Sequence, residues 1–177
     1  MEANTNNNVS NDEAQDQKSF GTHQLIVFKQ GSEEYALHID QIKEVVITPN
    51  ITKMPQTPEY IRGVANIRGN IIAIVDLEEK FGIKNKRQTE DVFEKNYTLV
   101  IESDEIKIGI LVKDVPNTLS VSEKDIDDAV NVVTDSSAEK NYIKGIVKIK
   151  DRLVILIDIF KVMSKSDLST TLGVNAA

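Results

Sequence analysis

The sequence predicts an all-β protein built as two small closed barrels side by side, and three observations carry that prediction. The segment 60–82, YIRGVANIRGNIIAIVDLEEKFG, returns 82 residues later as YIKGIVKIKDRLVILIDIFKVMS over 142–164. Tyr60 matches Tyr142, Gly63 matches Gly145, Ile67 matches Ile149 and Asp76 matches Asp158; repetition on this scale is a fold-level signal. Each half also holds about five short apolar runs punctuated by turn residues, and closing them into a barrel removes exposed strand edges. Helical signals are confined to short capped segments.

In chain order, His23–Lys29 reads as the first strand, with an apolar run over 25–28. Gln30-Gly31-Ser32-Glu33 is a turn, and Glu34–Ile39 follows with Tyr35, Leu37 and Ile39 on one face, so the pair reads as a hairpin. Asp40 is placed to cap one helical turn over Gln41–Glu44, and Val45–Ile47 resumes extended structure. Pro49 and Pro55 keep 48–56 irregular. Thr57-Pro58-Glu59 has the cap, first-position proline and first-turn acid of a one-turn helix.

The repeated segment opens with a strand, Gly63–Ile67. Gly69-Asn70 is read as its tight turn, because both residues tolerate positive φ, and Ile71–Val75 as the returning strand. Asp76 caps a short helical segment, with Glu79 in capping-box spacing, and Gly82 ends it. Residues 84–95 are a charged connector. Thr98–Ile101 and Ile106–Val112 then form a second hairpin about a turn at 102–105, and Lys113–Pro116 ends it. Aligned on strand ends, Ala36 matches Gly109, Ile39 matches Val112 and Ile42 matches Val115, an offset of 73; the nine residues separating this offset from 82 fall in the acidic stretch Asp125–Glu139. Ile71–Val75 and Leu153–Ile157 are apolar at every position, whereas a barrel strand with one face inside alternates. Their outer faces need cover, chiefly from the other lobe.

A chain of 177 residues is about one domain by length. Residues 1–21 are asparagine-rich, with almost no large apolar residue before Phe20, and read as a disordered tail; 166–177 reads as a C-terminal tail. The domain is 22–165, with one lobe about 22–85 and the other about 92–165, terminal strands being exchangeable between them. The formal charge is −7 and no basic cluster exceeds Lys84-Asn85-Lys86-Arg87, which excludes nucleic acid as the expected partner and disfavours anionic membrane surfaces. The absence of cysteine removes disulfides and thiolate chemistry. No stretch approaches the roughly 20 apolar residues that span a bilayer, and the N-terminus lacks a signal-peptide core. A soluble cytoplasmic protein without direct membrane insertion is expected.

No catalytic constellation emerges. His23 and His38 are not spaced as a metal site, and His38 reads as an outward strand residue. Asp76 and Asp158 are equivalent in the repeat, yet each sits where a helix cap is expected and no Asp-Thr/Ser-Gly loop surrounds it, so capping is preferred to a carboxylate dyad. Gly63 and Gly69 are too widely spaced for a phosphate cradle, and strand follows them. There is no Gly-x-Ser-x-Gly elbow, and aromatics are 5% with no tryptophan. What stands out is Arg68. Asn66-Ile67-Arg68-Gly69 is matched by the plainer Lys148-Ile149-Lys150-Asp151. A turn arginine is usually solvated, but a guanidinium on a rigid turn also suits carboxylate pairing. Glu44 is the internal mate, since 40–46 should lie close by in a barrel.

With those residues in view, Tyr60-Ile-Arg-Gly-Val-Ala-Asn-Ile-Arg-Gly69 followed by Ile71–Leu77 resembles the signature of the CheW-like domain family, the chemotaxis coupling proteins. Gly31-Ser-Glu-Glu-Tyr35 and Ile42-Lys-Glu44-Val45 also match its pattern, and the resemblance covers about 22–165. Ile67 stands where the family usually has Leu, and Ala73 where it has Pro. The resemblance implies two SH3-like five-stranded β-barrels. It implies a non-catalytic scaffold without cofactor that couples a CheA-type histidine kinase, through its CheW-like regulatory domain, to the cytoplasmic tips of methyl-accepting chemoreceptors. Other CheW-like domains in rings are further partners, with recruitment to receptor arrays at the inner membrane. Glu44 and Arg68 match functionally important family positions; Ile42, Gly63, Tyr97, Gly109 and Val115 match positions lining a receptor-contacting groove between lobes. Against that, the glycines can serve turns or close packing, and Ile42 and Val115 can be ordinary core. With no ATP-binding glycine boxes and no receiver-length extension after Asp158, neither a kinase end nor a receiver fusion is expected. The alternatives are an adaptor of a non-flagellar array pathway, such as surface motility, and a small hydrolase built on the histidines and aspartates.

Overall fold

The computed structural model describes residues 21–83, 96–104, 106–128 and 142–163; the two tails, the connector 84–95 and most of the acidic insert lie outside them. Strands β1 (Thr22–Gln30) and β2 (Glu33–His38) form the first hairpin about Gly31, at φ +63°. The helical turn after it is a 3-10 turn over Ile39–Gln41 whose cap is His38, not Asp40. The Gln41 Oε1 reaches back to accept from the His38 N–H at 3.2 Å, which starts the turn two residues early and frees Ile42–Ile47 to be strand β3.

The one-turn helix expected at Thr57 does not form. The Thr57 hydroxyl donates instead to the Met54 carbonyl at 3.1 Å, and the segment crosses the barrel with one bridge, Thr52 to Val64. Strands β4 (Ile61–Ile67) and β5 (Asn70–Val75) come next. Their turn is Arg68-Gly69 rather than Gly69-Asn70: Ile67 pairs with Asn70, and Arg68 and Gly69 lie at φ +50° and +84°. Two central residues with positive φ match the right-handed twist of the flanking strands. Helix α1 (Leu77–Lys80) is capped by Asp76, which accepts from the Glu78 N–H, and Gly82 leaves it at φ +67°.

The second half supplies β6 (Tyr97–Glu102), β7 (Lys107–Val112), β8 (Asn117–Ser122), β9 (Ile126–Asp128), β10 (Ile143–Ile149), β11 (Arg152–Ile157) and α2 (Ile159–Val162). Asp158 caps α2 through the Phe160 and Lys161 N–H groups. Strand β8 has little signal in the sequence: only Leu119 and Val121 mark its buried face.

Strand order is β8-β1-β2-β11-β10-β9 in one sheet and β3-β6-β7-β5-β4 in the other. Only the 3-10 turn Glu123–Asp125 separates β8 from β9, so they act as one bent strand that meets β1 at one end and β10 at the other and closes a five-stranded barrel. In the second barrel the chain from β3 to Thr52 does the same between β6 and β4. Each barrel thus takes one hairpin from each half of the chain. The joints are two parallel pairs in the same register. Ala73 faces Ile108 in β5–β7, and the matching Ile155 faces the matching Tyr35 in β11–β2. Bulges recur at the matched sites Ile61/Gly63 and Ile143/Gly145.

This arrangement accounts for the all-apolar strands. Successive strand residues face opposite ways. Ile72 and Ile74 pack inside their own barrel, with Val100 and Leu111 respectively. Ala73 and Val75 point the other way, into a core shared with Phe28, Tyr35, Leu37 and Ile157 of the first barrel. The cover stops at the strand ends. Ile71 is 58% exposed and its repeat match Leu153 61%.

Candidate functional site

The site builds up from barrel closure. Val46 on β3 packs against Ile67, Ile72 and Val100, which brings β3 to the β4–β5 turn. Glu44 sits at the β3 bulge, where the register shifts between Ile42 and Glu44. The Arg68 Nε donates to Glu44 Oε2 at 2.7 Å. Arg68's side chain is 75% exposed and Glu44's 20%. A pair in that setting contributes about 0–1 kcal/mol to stability, so it orients two charges more than it holds the fold. In the second copy Lys150 also lies at φ +50°, but Lys148, in place of Asn66, pairs with Asp127.

The other expected positions separate into three groups. Ile42, half-buried, packs on the shared core opposite Ile101. Tyr97 also packs on that core, between Ile47 and Val112. Val115 is 58% exposed in the link from β7 to β8. The two glycines lie within the barrel wall. A Cβ on Gly109 would stand 2.6 Å from Thr98 Cγ2 and 2.9 Å from Ile74 Cδ1. Gly63 lies at φ +137°, with Thr52 O only 2.1 Å from where a Cβ would be. Packing is a sufficient reason for both glycines.

Sequence reasoning missed two residues. Val45 (41% exposed) and Ile47 (78%) project from the outer face of β3, beside Leu99 and Tyr97. The signal was the alternation of Lys43, Val45 and Ile47, hidden by the helical turn expected over 41–44. Lys43 and Lys107 both engage Glu102 nearby, and hydrogen bonds from those lysines, Lys107 first, hold its carboxyl below the ordinary range.

The residues that a hydrolase would need are placed otherwise. Asp76, 2% exposed, and Asp158 cap α1 and α2. His23 and His38 meet edge to face at 5.5 Å, and His38 is half-buried rather than outward. Burial, then Lys144, lowers its pKa, with His23 adding to the shift and Asp40 opposing it. Among the described residues no group of three or more His, Asp or Glu is placed to hold a metal, and no helix is long and apolar enough to cross a membrane.

Comparison with known proteins adds an independent line. Residues 24–167 match the family described as the CheW-like domain. The chain is 34% identical to the chemotaxis protein CheW of Helicobacter pylori over 142 residues, covering 80% of this chain and 82% of that one. It is 29% identical to the chemotaxis protein CheW of Treponema pallidum over 146 residues, 82% and 84% of the two chains. The crystal structure of the scaffolding protein TtCheW from Thermoanaerobacter tengcongensis superposes with a TM-score of 0.67 at 30% identity, covering 84% of this chain and 92% of that one.

Proposed function

This chain belongs to the CheW-like domain family, and from that premise we propose that it is a non-catalytic adaptor coupling the regulatory domain of a CheA-type histidine kinase to chemoreceptor tips. It works without a cofactor, in the cytoplasm, at receptor arrays on the inner membrane. The observation that carries this reading is the Arg68–Glu44 pair on one face of β3, with the exposed apolar residues Val45 and Ile47 on the other. A strand that offers both an oriented charge pair and a small apolar patch suits a reversible signalling interface. Ile42 and Tyr97, which pack on the core shared by the barrels, extend the patch along the seam, where a receptor helix would lie; Val115 offers a further exposed apolar side chain in the β7–β8 link, and Gly63 and Gly109 shape the barrel wall.

Ile71 and Leu153 support contacts with other CheW-like domains. They expose an apolar side chain at matched positions of the two barrels, as alternating contacts in a ring require. Single contacts of this size are weak, and an array multiplies them. Kinase output shifts if the adaptor binds one kinase–receptor arrangement better than another.

The test is a pull-down, with titration calorimetry, against an isolated kinase regulatory domain and a receptor signalling tip. Arg68→Glu should lose at least one partner while its circular dichroism spectrum matches that of the parent. Normal binding of both partners by that variant overturns the role given to Arg68.

A further inference from the structure

We infer that Asn66 is the positioning residue for Arg68, its carboxamide holding the β4–β5 turn in the backbone conformation that aims the guanidinium at Glu44. The inference rests on the reading of Arg68 as a docking residue, and deepens it. The Asn66 Oδ1 accepts a hydrogen bond from the Gly69 N–H at 2.8 Å, which ties the second central residue of the turn back to the incoming strand. Arg68 lies between these anchors at φ +50°, a region that residues with a side chain enter reluctantly. Its long, largely exposed side chain gains its aim from the backbone, and the 2.7 Å bond to Glu44 requires that aim.

The second copy separates this role from simple turn formation. There Lys150 reaches the same φ, +50°, and Ile149 pairs with Arg152 across the turn as Ile67 pairs with Asn70. Yet Lys148 stands in the place of Asn66 and is engaged with Asp127, and Asp151 stands in the place of Gly69. A two-residue hairpin at this point therefore forms without the asparagine, but in it Asp151 is not at positive φ, whereas Gly69, the residue that Asn66 holds, is at +84°. The carboxamide bond belongs to the copy that carries the arginine–glutamate pair.

The experiment compares Asn66→Ala, Asn66→Asp, which keeps the acceptor, and Arg68→Ala, alone and combined. Nuclear magnetic resonance follows the Gly69 amide and the Arg68 Nε–H, and calorimetry follows affinity for the kinase regulatory domain and the receptor tip. Asn66→Ala should speed exchange of both protons about tenfold, the loss of one hydrogen bond of typical strength, and weaken the Arg68-dependent partner by a similar factor. Asn66→Asp should restore both readouts, and Asn66→Ala should cost nothing further once Arg68 is alanine. Unchanged Arg68 Nε–H exchange in Asn66→Ala overturns the inference, as does an equal loss of affinity with and without Arg68. If Arg68→Ala binds normally while Asn66→Ala still releases the Nε–H, positioning stands and the docking reading of Arg68 falls.

Discussion

Arg152 and Glu34 join strands 118 residues apart by a two-pronged ion pair, Nε to Oε2 and Nη2 to Oε1, each at 2.9 Å. The pair sits at the end of the parallel β2–β11 joint, where Glu34 faces Val154. At the matched end of β5–β7, Lys107 donates to Asn70 at 3.4 Å. The same joint is thus fastened by a charge pair in one barrel and by a longer, half-neutral bond in the other.

Removing this fastening should be measurable but small. The Arg152 side chain is 57% exposed, so Arg152→Ala should cost about 0.5–1 kcal/mol by urea unfolding, less in high salt. Lysine cannot supply the fork, so Arg152→Lys should recover only part of the loss. A loss indifferent to salt would show that packing of the arginine stem, not its charge, is what matters.

Gly109→Ala should destabilise by about 1–3 kcal/mol, the range for overpacking a filled core. The added methyl meets Thr98 Cγ2 and Ile74 Cδ1 inside 3 Å, and Thr98→Ser in the same chain should recover part of the loss. Gly63→Ala should cost more, since the clash is with backbone and φ is +137°. Thermal midpoints falling in the reverse order would contradict this account of the two glycines.

Stability should fall with acid through His38. Its pKa in the fold lies below the ordinary 6.5, because burial, then Lys144, disfavours the charged ring. The unfolded chain therefore takes up its proton first. The contribution is complete above pH 6.5 and is lost as pH falls through that value toward the folded one. His38→Gln should flatten the urea midpoint between about pH 5 and 7. Glu102, also lowered, acts in a separate window below its ordinary 4.5. A parent midpoint that does not move from pH 7 to 5 would refute the His38 contribution.

Ile47→Ser should leave the thermal midpoint nearly unchanged, because the side chain is already 78% exposed. The same change should weaken binding to a partner that docks on the Val45–Ile47 face. A large drop in midpoint would mean that Ile47 supports the fold.

The helix caps offer a control on stability alone. Asp158→Ala removes the acceptor for two N–H groups and should cost about 1 kcal/mol, without altering partner affinity. Loss of affinity at unchanged stability would give Asp158 a role beyond capping.

Much of this protein could be read locally. The 82-residue repeat, the hairpins and both aspartate caps come from period-two patterning and from residues whose side chains cap or turn the backbone within a few positions. The Arg68–Glu44 mate was legible too, because a closed barrel should bring the segment 40–46 close to that turn, and the two side chains do meet. Local reading went astray where two short-range signals competed. Asp40 was a good cap by type, yet the Gln41 side chain reached the His38 N–H first. Thr57 was a good cap as well, yet its hydroxyl turned back to Met54.

The sequence by itself determined two related barrels, their hairpins and the segment Asn66–Gly69 at which the two copies differ. Only the tertiary structure decided which hairpin joins which barrel. Backbone hydrogen bonds would serve either pairing equally. The choice between them is made by burial, since Ala73 and Val75 lose their solvent only when Phe28, Tyr35 and Leu37 of the other barrel lie across them. The same packing left Val45, Ile47, Ile71 and Leu153 uncovered. A hydrophobic pattern specifies that a face seeks cover, but which residues stay bare depends on where the opposing barrel ends.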